Sequence, residues 1–362
     1  MKSVPKWILL LAESPYLGGI NSHLISIAEA FRGRNDFQPL IACLSGRRED
    51  VSLFDAARDR GIEIVEIPMR ARFDHRALEG IRRLVKERDI RLIHTHNYRA
   101  TIAAWAARPR VPIVNTCHGQ IVAPSLALRI WQIVELRVMR RLERTIACSE
   151  FVKSWLVAKG LPEHRVTTVY NAYELRSVSD RNVRMELGIE PGEYVVMYAG
   201  RLAEGKGLND LLEAASQAQS VTLLFAGDGP LRQELEARAK SLNPRAFFVG
   251  TVRDMDSYYR ACDVVVLPSQ MEALPMTLIE AMAHERALIA TKVGGISEVV
   301  SDNTGTLVPP CDPQQLAAAI NRLRDPALRV TLAANGRARW QFRFRHARLA
   351  NALADVYRTA LE

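Results

Sequence analysis

Residues 269–283 read SQMEALPMTLIEAMA, and they follow the apolar run 264–267, which is typical of a buried parallel strand. Pro275 disfavours helical backbone at the residue before it, so the stretch predicts a loop that contains Glu272 and a helix that contains Glu280. The free N–H groups at the start of such a helix can bind an anion, and carboxylates beside them can accept hydrogen bonds from hydroxyl groups. Two solvated glutamates beside an ordinary helix start would produce the same pattern.

Short apolar runs alternate with amphipathic segments on both sides of this stretch. The runs are residues 7–12, 40–44, 62–67, 92–94, 113–116, 145–148, 166–169, 194–198, 222–226, 246–249, 264–267, 287–290 and 306–308. This alternation is typical of parallel α/β sheets with helices on both faces. The pattern lapses at residues 173–180, so we predict two doubly wound, Rossmann-like domains, residues 1–172 and 173–343, that face each other across a cleft. Ligands of such folds bind at the carboxyl ends of the strands.

The composition is that of a folded protein in a reducing compartment. Hydrophobic residues make up 48% of the chain and charged residues 25%, and no apolar run is long enough to span a bilayer. The five cysteines show no paired spacing, which argues against a disulfide framework and a structural zinc site. We therefore expect a cytoplasmic protein.

Positive charge is concentrated in the first half of the chain. Residues 1–172 carry 27 Lys and Arg against 17 Asp and Glu, whereas residues 173–362 carry 22 against 23. Such an imbalance predicts attraction to something anionic on one side of the protein, either nucleic acid or a membrane surface. No nucleic-acid-binding motif is present, so we expect no nucleic acid partner.

Residues 126–144 form a long helical pattern with a basic face. Five arginines fall within one arc of about 120° on the helical wheel: Arg129, Arg137, Arg140, Arg141 and Arg144. A basic amphipathic helix of this kind can lie on an anionic bilayer, which would place the protein at the cytoplasmic membrane face. A helix packed on the core with a solvated basic face has the same pattern, and the sequence leaves both interpretations open.

Two cations and two glycines follow predicted strands. Arg201 and Lys206 lie in a glycine-containing loop after the run 194–198, and such a pair can bind a diphosphate. The loop is neither a P-loop nor a dinucleotide fingerprint. Gly18 and Gly19 follow the first strand and could let backbone N–H groups approach a phosphate, or could simply form a tight connection.

Two sets of residues in the sequence could bind a metal ion, one of histidines and one of aspartates. His94 and His96 lie on one face of a predicted strand, and His118 follows the next strand, but no third ligand with suitable spacing accompanies the first two. Asp254 and Asp256 form an Asp-x-Asp pair that can hold a metal, although the position of Asp254 before an amphipathic segment favours a helix N-cap. We therefore expect no metal site.

The motifs together resemble those of the retaining glycosyltransferases of family 4, also called glycosyl transferases group 1, which have the GT-B fold. They are Gly18-Gly19, His118-Gly119, Ser149-Glu150, Val169-Tyr170-Asn171, Gly200-Arg201-Leu202, Lys206-Gly207, Gly227-Asp228-Gly229-Pro230, Phe248-Val249-Gly250, the stretch from Asp263 to Ser269, Glu272-x₇-Glu280, and Gly294-Gly295 with Glu298. The spaced glutamates are the most specific of them, and the ordered set covers nearly the whole chain.

The resemblance implies a donor site for a UDP- or GDP-linked sugar, with no cofactor and no metal. It implies that Arg201 and Lys206 bind the diphosphate, that Glu280 binds the ribose, and that Glu272 with the backbone of Ala273, Leu274, Pro275 and Met276 contacts the donor sugar. It also implies that Gly18 and Gly19 approach the diphosphate, that Val252 lies near the nucleobase, and that His118 takes part in catalysis beside the sugar. In this family the last helix, here about residues 344–362, crosses back onto the N-terminal domain.

The resemblance therefore implies a retaining, metal-independent hexosyltransferase. We expect a sugar or lipid-linked acceptor, in the biosynthesis of a surface polysaccharide such as lipopolysaccharide or of a glycolipid. A sugar-nucleotide 2-epimerase with the GT-B fold and a non-catalytic membrane-docking module are the alternatives. The chain departs from the family at Ala273-Leu274-Pro275, where Gly-Phe-Gly is commoner, and at His284-Glu285-Arg286, where a small turn that ends in proline is usual.

Overall fold

A computed structural model describes residues 4–13, 19–45, 52–69, 74–119, 126–175, 180–242 and 244–362 of the 362-residue chain. The chain separates into two compact units. The first consists of Met1–Ala172 with His346–Glu362, and the second of Tyr173–Arg345. The chain therefore crosses between the units twice, after Ala172 and after Arg345.

Strands and helices alternate through both units. The strands are β1 (Lys6–Ala12), β2 (Phe37–Ser45), β3 (Ile64–Pro68), β4 (Ile90–Thr95), β5 (Ile113–Cys117), β6 (Arg144–Ala147), β7 (Val166–Thr168), β8 (Val195–Ala199), β9 (Thr222–Ala226), β10 (Arg245–Gly250), β11 (Val264–Leu267), β12 (Ala287–Thr291) and β13 (Thr306–Val308). The helices are α1 (Gly19–Ala30), α2 (Ser52–Arg58), α3 (His75–Glu87), α4 (Tyr98–Ala107), α5 (Leu126–Met139), α6 (Glu150–Ala158), α7 (Val183–Glu186), α8 (Leu208–Gln217), α9 (Arg232–Leu242), α10 (Met255–Ala261), α11 (Met276–Ala283), α12 (Ile296–Val299), α13 (Pro313–Arg322), α14 (Pro326–Arg343) and α15 (His346–Leu361).

Each unit contains one parallel sheet. The first sheet has the order β3-β2-β1-β4-β5-β6-β7, and the second has the order β10-β9-β8-β11-β12-β13. The reversal beside the first strand of each unit is the doubly wound arrangement, in which ligands bind at the carboxyl ends of the strands. The predicted α/β class is confirmed, and all thirteen apolar runs that were predicted as strands form strands.

Burial on both faces explains why the central strands are continuously apolar. Along β1, Leu10 packs into one core with Leu24 of α1, whereas its neighbours Leu9 and Leu11 pack into a second core with Ile81 of α3. Successive side chains of a strand point to opposite faces, so a strand that is covered by helices on both sides has no polar face.

Helix α15 belongs to the first unit, although it follows the second unit in sequence. Leu349, Leu353 and Tyr357 are buried and four residues apart, so they form one stripe along the helix. The ring of Tyr357 stacks on Phe31 with a centroid distance of 5.9 Å. Its hydroxyl lies 2.8 Å from Nδ1 of His94, so the last helix is bound to the central sheet by a polar contact as well as by apolar packing.

The predicted helix over residues 126–144 is wrong in its last turn. Helix α5 ends at Met139, and Arg144 is the first residue of β6, where it pairs with Val114 of β5. Strand pairing with a distant part of the chain overrides the helical periodicity of these residues. The single basic face of five arginines therefore does not form.

Three of those arginines make contacts within the first unit instead. Arg140 donates to the carbonyls of Lys159 and Gly160, and Arg144 donates to the carbonyl of His164. The Arg141 guanidinium lies 5.7 Å from the centroid of the Trp105 ring. Among the helices of the described ranges, none is long and apolar enough to cross a bilayer.

The packing of α15 predicts that a cavity created in this helix lowers the stability of the first unit. Leu353 is fully buried, so Leu353→Ala should cost about 2–5 kcal/mol and lower the Tm of the first unit by roughly 2–4 °C per kcal/mol. Differential scanning calorimetry measures this shift. Val330→Ala removes aliphatic carbons from an exposed site on α14 and should change stability by less than about 0.5 kcal/mol. Equal shifts for the two variants would contradict the packing described for α15.

Candidate active site

The candidate site lies in the second unit, at the carboxyl ends of β8, β11 and β12. Three loops follow these strands: residues 200–207, residues 268–275 and residues 292–295. The N–H of Gln270 donates to the carbonyl of Gly205 at 2.8 Å. The N–H of Gly295 donates to the carbonyl of Glu272 at 3.0 Å. Main-chain hydrogen bonds thus fix the middle loop against both of its neighbours.

Glycines make this close approach of the loops sterically possible. Gly207 and Gly294 have φ angles of 64° and 52°, in the left-handed region that side chains disfavour. A Cβ atom at Gly207 would lie 2.0 Å from the carbonyl oxygen of Pro268, and one at Gly294 would lie 1.8 Å from that of Glu272. No other residue type fits at either position without displacement of the loop that carries Glu272.

The side chain of Glu272 is held by two donors. Nζ of Lys206 lies 2.7 Å from Oε1, and Oγ of Ser269 donates to the same oxygen at 2.7 Å. The side chains of Lys206 and Glu272 are 31% and 14% exposed, so both groups are partly shielded yet reachable from solvent. Among the described residues, no hydrogen bond to Oε2 of Glu272 is found, and this oxygen can accept one from a ligand hydroxyl.

Arg201 lies in the same loop as Lys206 and is exposed. Its carbonyl accepts a hydrogen bond of 2.9 Å from the hydroxyl of Tyr198, which ties the start of the loop to β8. Within the ranges that the structure describes, its guanidinium forms no ion pair. Lys206 is held in place by its ion pair with Glu272, whereas the side chain of Arg201 is exposed to solvent. An anion that binds here would therefore meet one cation that is already positioned and one that is exposed.

Helix α11 begins at Met276, directly after Pro275, so the prediction of Glu272 in a loop and Glu280 in a helix is confirmed. The N-terminus of α11 has no side-chain cap, which leaves its first N–H groups available to an anion. Oγ1 of Thr277 donates to the carbonyl of Ala199 at 3.0 Å. The start of the helix is therefore fixed at the end of β8, beside the loop with the two cations.

Glu280 lies one helical turn inside α11 and is half-buried. Its Oε2 accepts a hydrogen bond of 2.7 Å from the hydroxyl of Tyr259 on α10. Burial raises the pKa of Tyr259 well above its ordinary value, and the carboxylate of Glu280 raises it further. A raised pKa keeps the phenol protonated near neutral pH, so that it donates to the carboxylate.

Four histidines cluster in the first unit, at the carboxyl ends of β4 and β5. His94, His96 and His118 are joined by His23 from α1, and a ring nitrogen of His23, His96 and His118 each lies within 4.8 Å of the other two. Burial lowers the pKa of His118 to about 4 and that of His94 to about 3, so both imidazoles are neutral near pH 7. The pKa values of His23 and His96 are also lowered, chiefly by burial.

Contacts within this cluster decide whether it could hold a metal. A tetrahedral zinc ion with bonds of 2.0–2.1 Å keeps its nitrogen ligands roughly 3.4 Å apart. Nδ1 of His96 and Nε2 of His118 have this spacing, at 3.3 Å, but they face each other as hydrogen-bond partners. Among the described residues, a metal could bind at His23, His96 and His118 only if this hydrogen bond were given up.

The predicted site residues fall into both units. Arg201, Lys206, Glu272, Ala273, Leu274, Pro275, Met276 and Glu280 lie around the three loops of the second unit, and half-buried Val252 follows β10. Gly19 is the first residue of α1 and His118 follows β5, both in the first unit, whereas Gly18 lies outside the described residues. The prediction that Asp254 caps a helix is confirmed, since its carboxylate accepts from the N–H of Ser257 at 3.3 Å.

Several side chains that shape the site have no role in the predictions from sequence. Ser269 and Tyr259 hold the two glutamates, and His23 completes the histidine cluster. Ser269 could have been noted from its place at the end of a strand. Tyr259 and His23 lie on helices, where they look like ordinary core residues because their partners are distant in the chain.

Two protein families match the chain. Residues 193–325 match a family described as "Glycosyl transferases group 1", and residues 17–177 match one described as "Glycosyltransferase Family 4". The two matches fall in different halves of the chain and reach both units.

Individual proteins are similar over most of the chain. A D-inositol 3-phosphate glycosyltransferase of Saccharomonospora viridis is 30% identical over 306 residues, which cover 75% of this chain and 70% of that protein. The O-antigen chain mannosyltransferase C of Escherichia coli is 28% identical over 301 residues, with 80% of each chain covered. The crystal structure of Anabaena HepE in complex with UDP and glucose superimposes with a TM-score of 0.86 at 23% identity and covers 98% of this chain and 99% of that one.

The close contact between Gly294 and Glu272 predicts that one methyl group added at position 294 strongly lowers the stability of the second unit. Gly294→Ala should cost about 2–5 kcal/mol, because the clash with the Glu272 carbonyl adds to the strain of a left-handed alanine. Calorimetry of the second unit measures this loss. Gly188→Ala is the matched control: it has a φ of 61° and no atom within 4 Å of its Cβ, so only the strain of about 1–2 kcal/mol applies. An equal loss in both variants would contradict the close approach.

Proposed function

Because the chain belongs to the group 1 glycosyltransferases of family 4, we propose that it transfers a sugar from a nucleotide-sugar donor to an acceptor with retention of anomeric configuration. The chain has the GT-B fold of two parallel-sheet α/β units. The observation that carries the proposal is the group formed by Arg201, Lys206 and Glu272 at the open start of the helix that contains Glu280.

The donor is bound through its charges and hydroxyl groups. Arg201, Lys206 and the free N–H groups of α11 bind the diphosphate, which gains negative charge as the glycosidic bond breaks. Oε2 of Glu272 accepts a hydrogen bond from a hydroxyl group of the sugar. The backbone of residues 273–276 forms further hydrogen bonds with the sugar, and Glu280 binds the ribose. A UDP-linked donor is the first to test, because the HepE structure contains UDP, and a GDP-linked donor is the second.

Charge in this site also bears on the mechanism. Glu272 is engaged by Lys206 and Ser269, which suits a hydroxyl-binding group better than a nucleophile that must reach the anomeric carbon. Retention then follows from attack on the same face that the diphosphate leaves, with the departing phosphate taking the acceptor's proton. Two cationic side chains supply the countercharge for this step, so the proposed reaction needs no metal. Neutral His118 is proposed to contact the donor sugar.

A lipid-linked acceptor is supported by an apolar pocket in the first unit. The pocket is shallow and opens to solvent between α3, α4 and α5. Its apolar wall includes Leu78, Ile102, Ala103 and Trp131, and Arg99 lies at its polar side. It lies toward the carboxyl ends of β3 and β4, where ligands of such sheets bind, and its mainly apolar lining suits contact with hydrocarbon next to an anionic or hydroxylated head group.

Helix α5, which supplies Trp131, also supports a protein that works at a cytoplasmic membrane surface. Ile130 and Ile133 are 53% and 48% exposed, and Arg129 and Arg137 are exposed on the same helix. Apolar side chains flanked by arginines can enter the headgroup region of an anionic bilayer. The proposed acceptor is accordingly a lipid-linked precursor of a surface polysaccharide or glycolipid, as the O-antigen relative suggests.

Removal of either cation tests the proposed reaction. Arg201→Ala and Lys206→Ala should each lower kcat/KM with the preferred nucleotide-sugar by about 10²–10³-fold, because each removes a group that stabilises the departing diphosphate. The assay quantifies glycosylated acceptor and free nucleoside diphosphate. Arg322→Ala and Lys240→Ala remove exposed cations of the same unit, on α13 and α9 and outside the three loops, and should retain activity. Full activity of the Arg201 and Lys206 variants, or release of an epimerised sugar, would contradict the proposal.

Filling of the apolar pocket tests the acceptor. Ala103→Leu adds three carbons inside the pocket and should raise the KM for a long-chain lipid-linked acceptor about tenfold, with the donor KM unchanged. The KM of the Ala103→Leu variant for a short-chain acceptor should equal that of the unaltered protein. Ala106→Leu on the same helix is the control, since Ala106 does not line the pocket. An equal rise for both chain lengths would argue against hydrocarbon binding at this place.

A further inference from the structure

A buried polar network lies behind Glu280 in the second unit. Its members are Tyr259, His284, Asp256 and Tyr173. None of them is assigned a contact with the donor in the proposed reaction. The network begins at the carboxylate proposed to bind the ribose and ends at the residue where the chain enters the second unit.

Tyr259 is the member that touches Glu280. Its side chain is fully buried, and its hydroxyl donates to Oε2 at 2.7 Å. The two residues lie on different helices, α10 and α11, so this hydrogen bond fixes the carboxylate by a group outside its own helix. A half-buried glutamate has several rotamers open to it, and a short hydrogen bond to an immobile phenol selects among them.

His284 holds the ring of Tyr259 in place. It is the C-cap residue of α11, and its imidazole stacks on the phenol ring with a centroid distance of 5.1 Å and an interplanar angle of 16°. Its Nε2 lies 3.1 Å from Oδ1 of Asp256 and 3.2 Å from the hydroxyl of Tyr173. His284 is the first residue of the His284-Glu285-Arg286 segment, at which this chain departs from the small, proline-ending turn that is usual in the family.

Tyr173 anchors the far end of the network. Its hydroxyl donates to Oδ1 of Asp256 at 2.5 Å. Its N–H donates to the carbonyl of Phe344 at 2.9 Å, and its carbonyl accepts from Nε1 of Trp340 at 3.0 Å. The segment that enters the second unit is thus bonded to the segment that leaves it, and the network is immobilised at both ends.

We propose that Tyr259 is a positioning residue that orients Glu280 for the ribose hydroxyls of the donor, and that His284, braced by Asp256 and Tyr173, keeps Tyr259 in place. This inference rests on the proposed function, because it takes Glu280 as the ribose-binding group. The network makes the ribose site depend on residues that never touch the nucleotide.

Nucleotide binding to the full-length protein tests the role of Tyr259. Tyr259→Phe removes only the hydroxyl and should raise the Kd for UDP about tenfold by isothermal titration calorimetry. For 2′,3′-dideoxy-UDP, which lacks the hydroxyls that Glu280 would bind, the variant and the unaltered protein should have equal Kd values. Tyr258→Phe is the matched control: it lies on the same helix, is buried and is bonded to Arg181 rather than to Glu280, and it should leave both Kd values unchanged.

A double-variant cycle tests the role of His284. His284→Ala should raise the Kd for UDP severalfold, and the double variant with Tyr259→Phe should bind no more weakly than Tyr259→Phe alone, because His284 acts through the tyrosine. Additive losses would overturn the proposed order of action. Equal weakening toward UDP and the dideoxy analogue would also overturn the proposal, since it would indicate general distortion of the site.

Glu280→Gln separates this inference from the proposed function. If Glu280→Gln weakens UDP binding and Tyr259→Phe does not, Tyr259 is not a positioning residue and the donor site stands. If the unaltered protein binds neither UDP nor GDP, or Glu280→Gln has no effect on the one it binds, the assignment of the donor site itself fails. Calorimetric Tm values for each variant check that the second unit remains folded.

Discussion

The carbonyl oxygen of Glu272 lies where a side chain at position 294 would have to be, and the arrangement of the candidate site depends on this close approach. Gly294 and Gly295 lie next to the backbone of Glu272, and the N–H of Gly295 donates to its carbonyl. On this side the loop that carries Glu272 is therefore held by main chain alone. From the other side it is held by Lys206, which bonds to the carboxylate of Glu272, and Ser269 of the same loop donates to that carboxylate as well. An acidic side chain and a basic side chain are thereby kept next to the open start of a helix, where a phosphate and a sugar can both be bound.

The sheet explains why these loops converge. In a parallel sheet every strand delivers its loop to the same edge, so β8, β11 and β12 bring together residues up to about ninety positions apart in the chain. Such a sheet requires its central strands to be apolar on both faces, and central strands such as β1 and β8 meet this requirement. The site is polar because it lies just beyond the point where each buried run ends.

The strands and the positions of the two site glutamates can be predicted from the sequence for physical reasons. The central strands are recognisable in the sequence because burial on both faces leaves a continuous apolar run, and Pro275 alone separates the loop position of Glu272 from the helical position of Glu280. The helical pattern over residues 126–144 extends beyond the helix itself, because the pairing of Arg144 with Val114 depends on a strand thirty residues away. Tyr259, His284 and His23 could not be predicted either, since each acts through a side chain on another element and helical periodicity gives them the appearance of core residues.

The central claim is that a nucleoside diphosphate binds at the loops of the second unit. A crystal structure of the protein with bound UDP tests it most directly. We expect diphosphate oxygens within about 3 Å of the side-chain nitrogens of Arg201 and Lys206, and ribose hydroxyls at the carboxylate of Glu280. A nucleotide bound elsewhere, or one whose diphosphate touches neither cation, would contradict it.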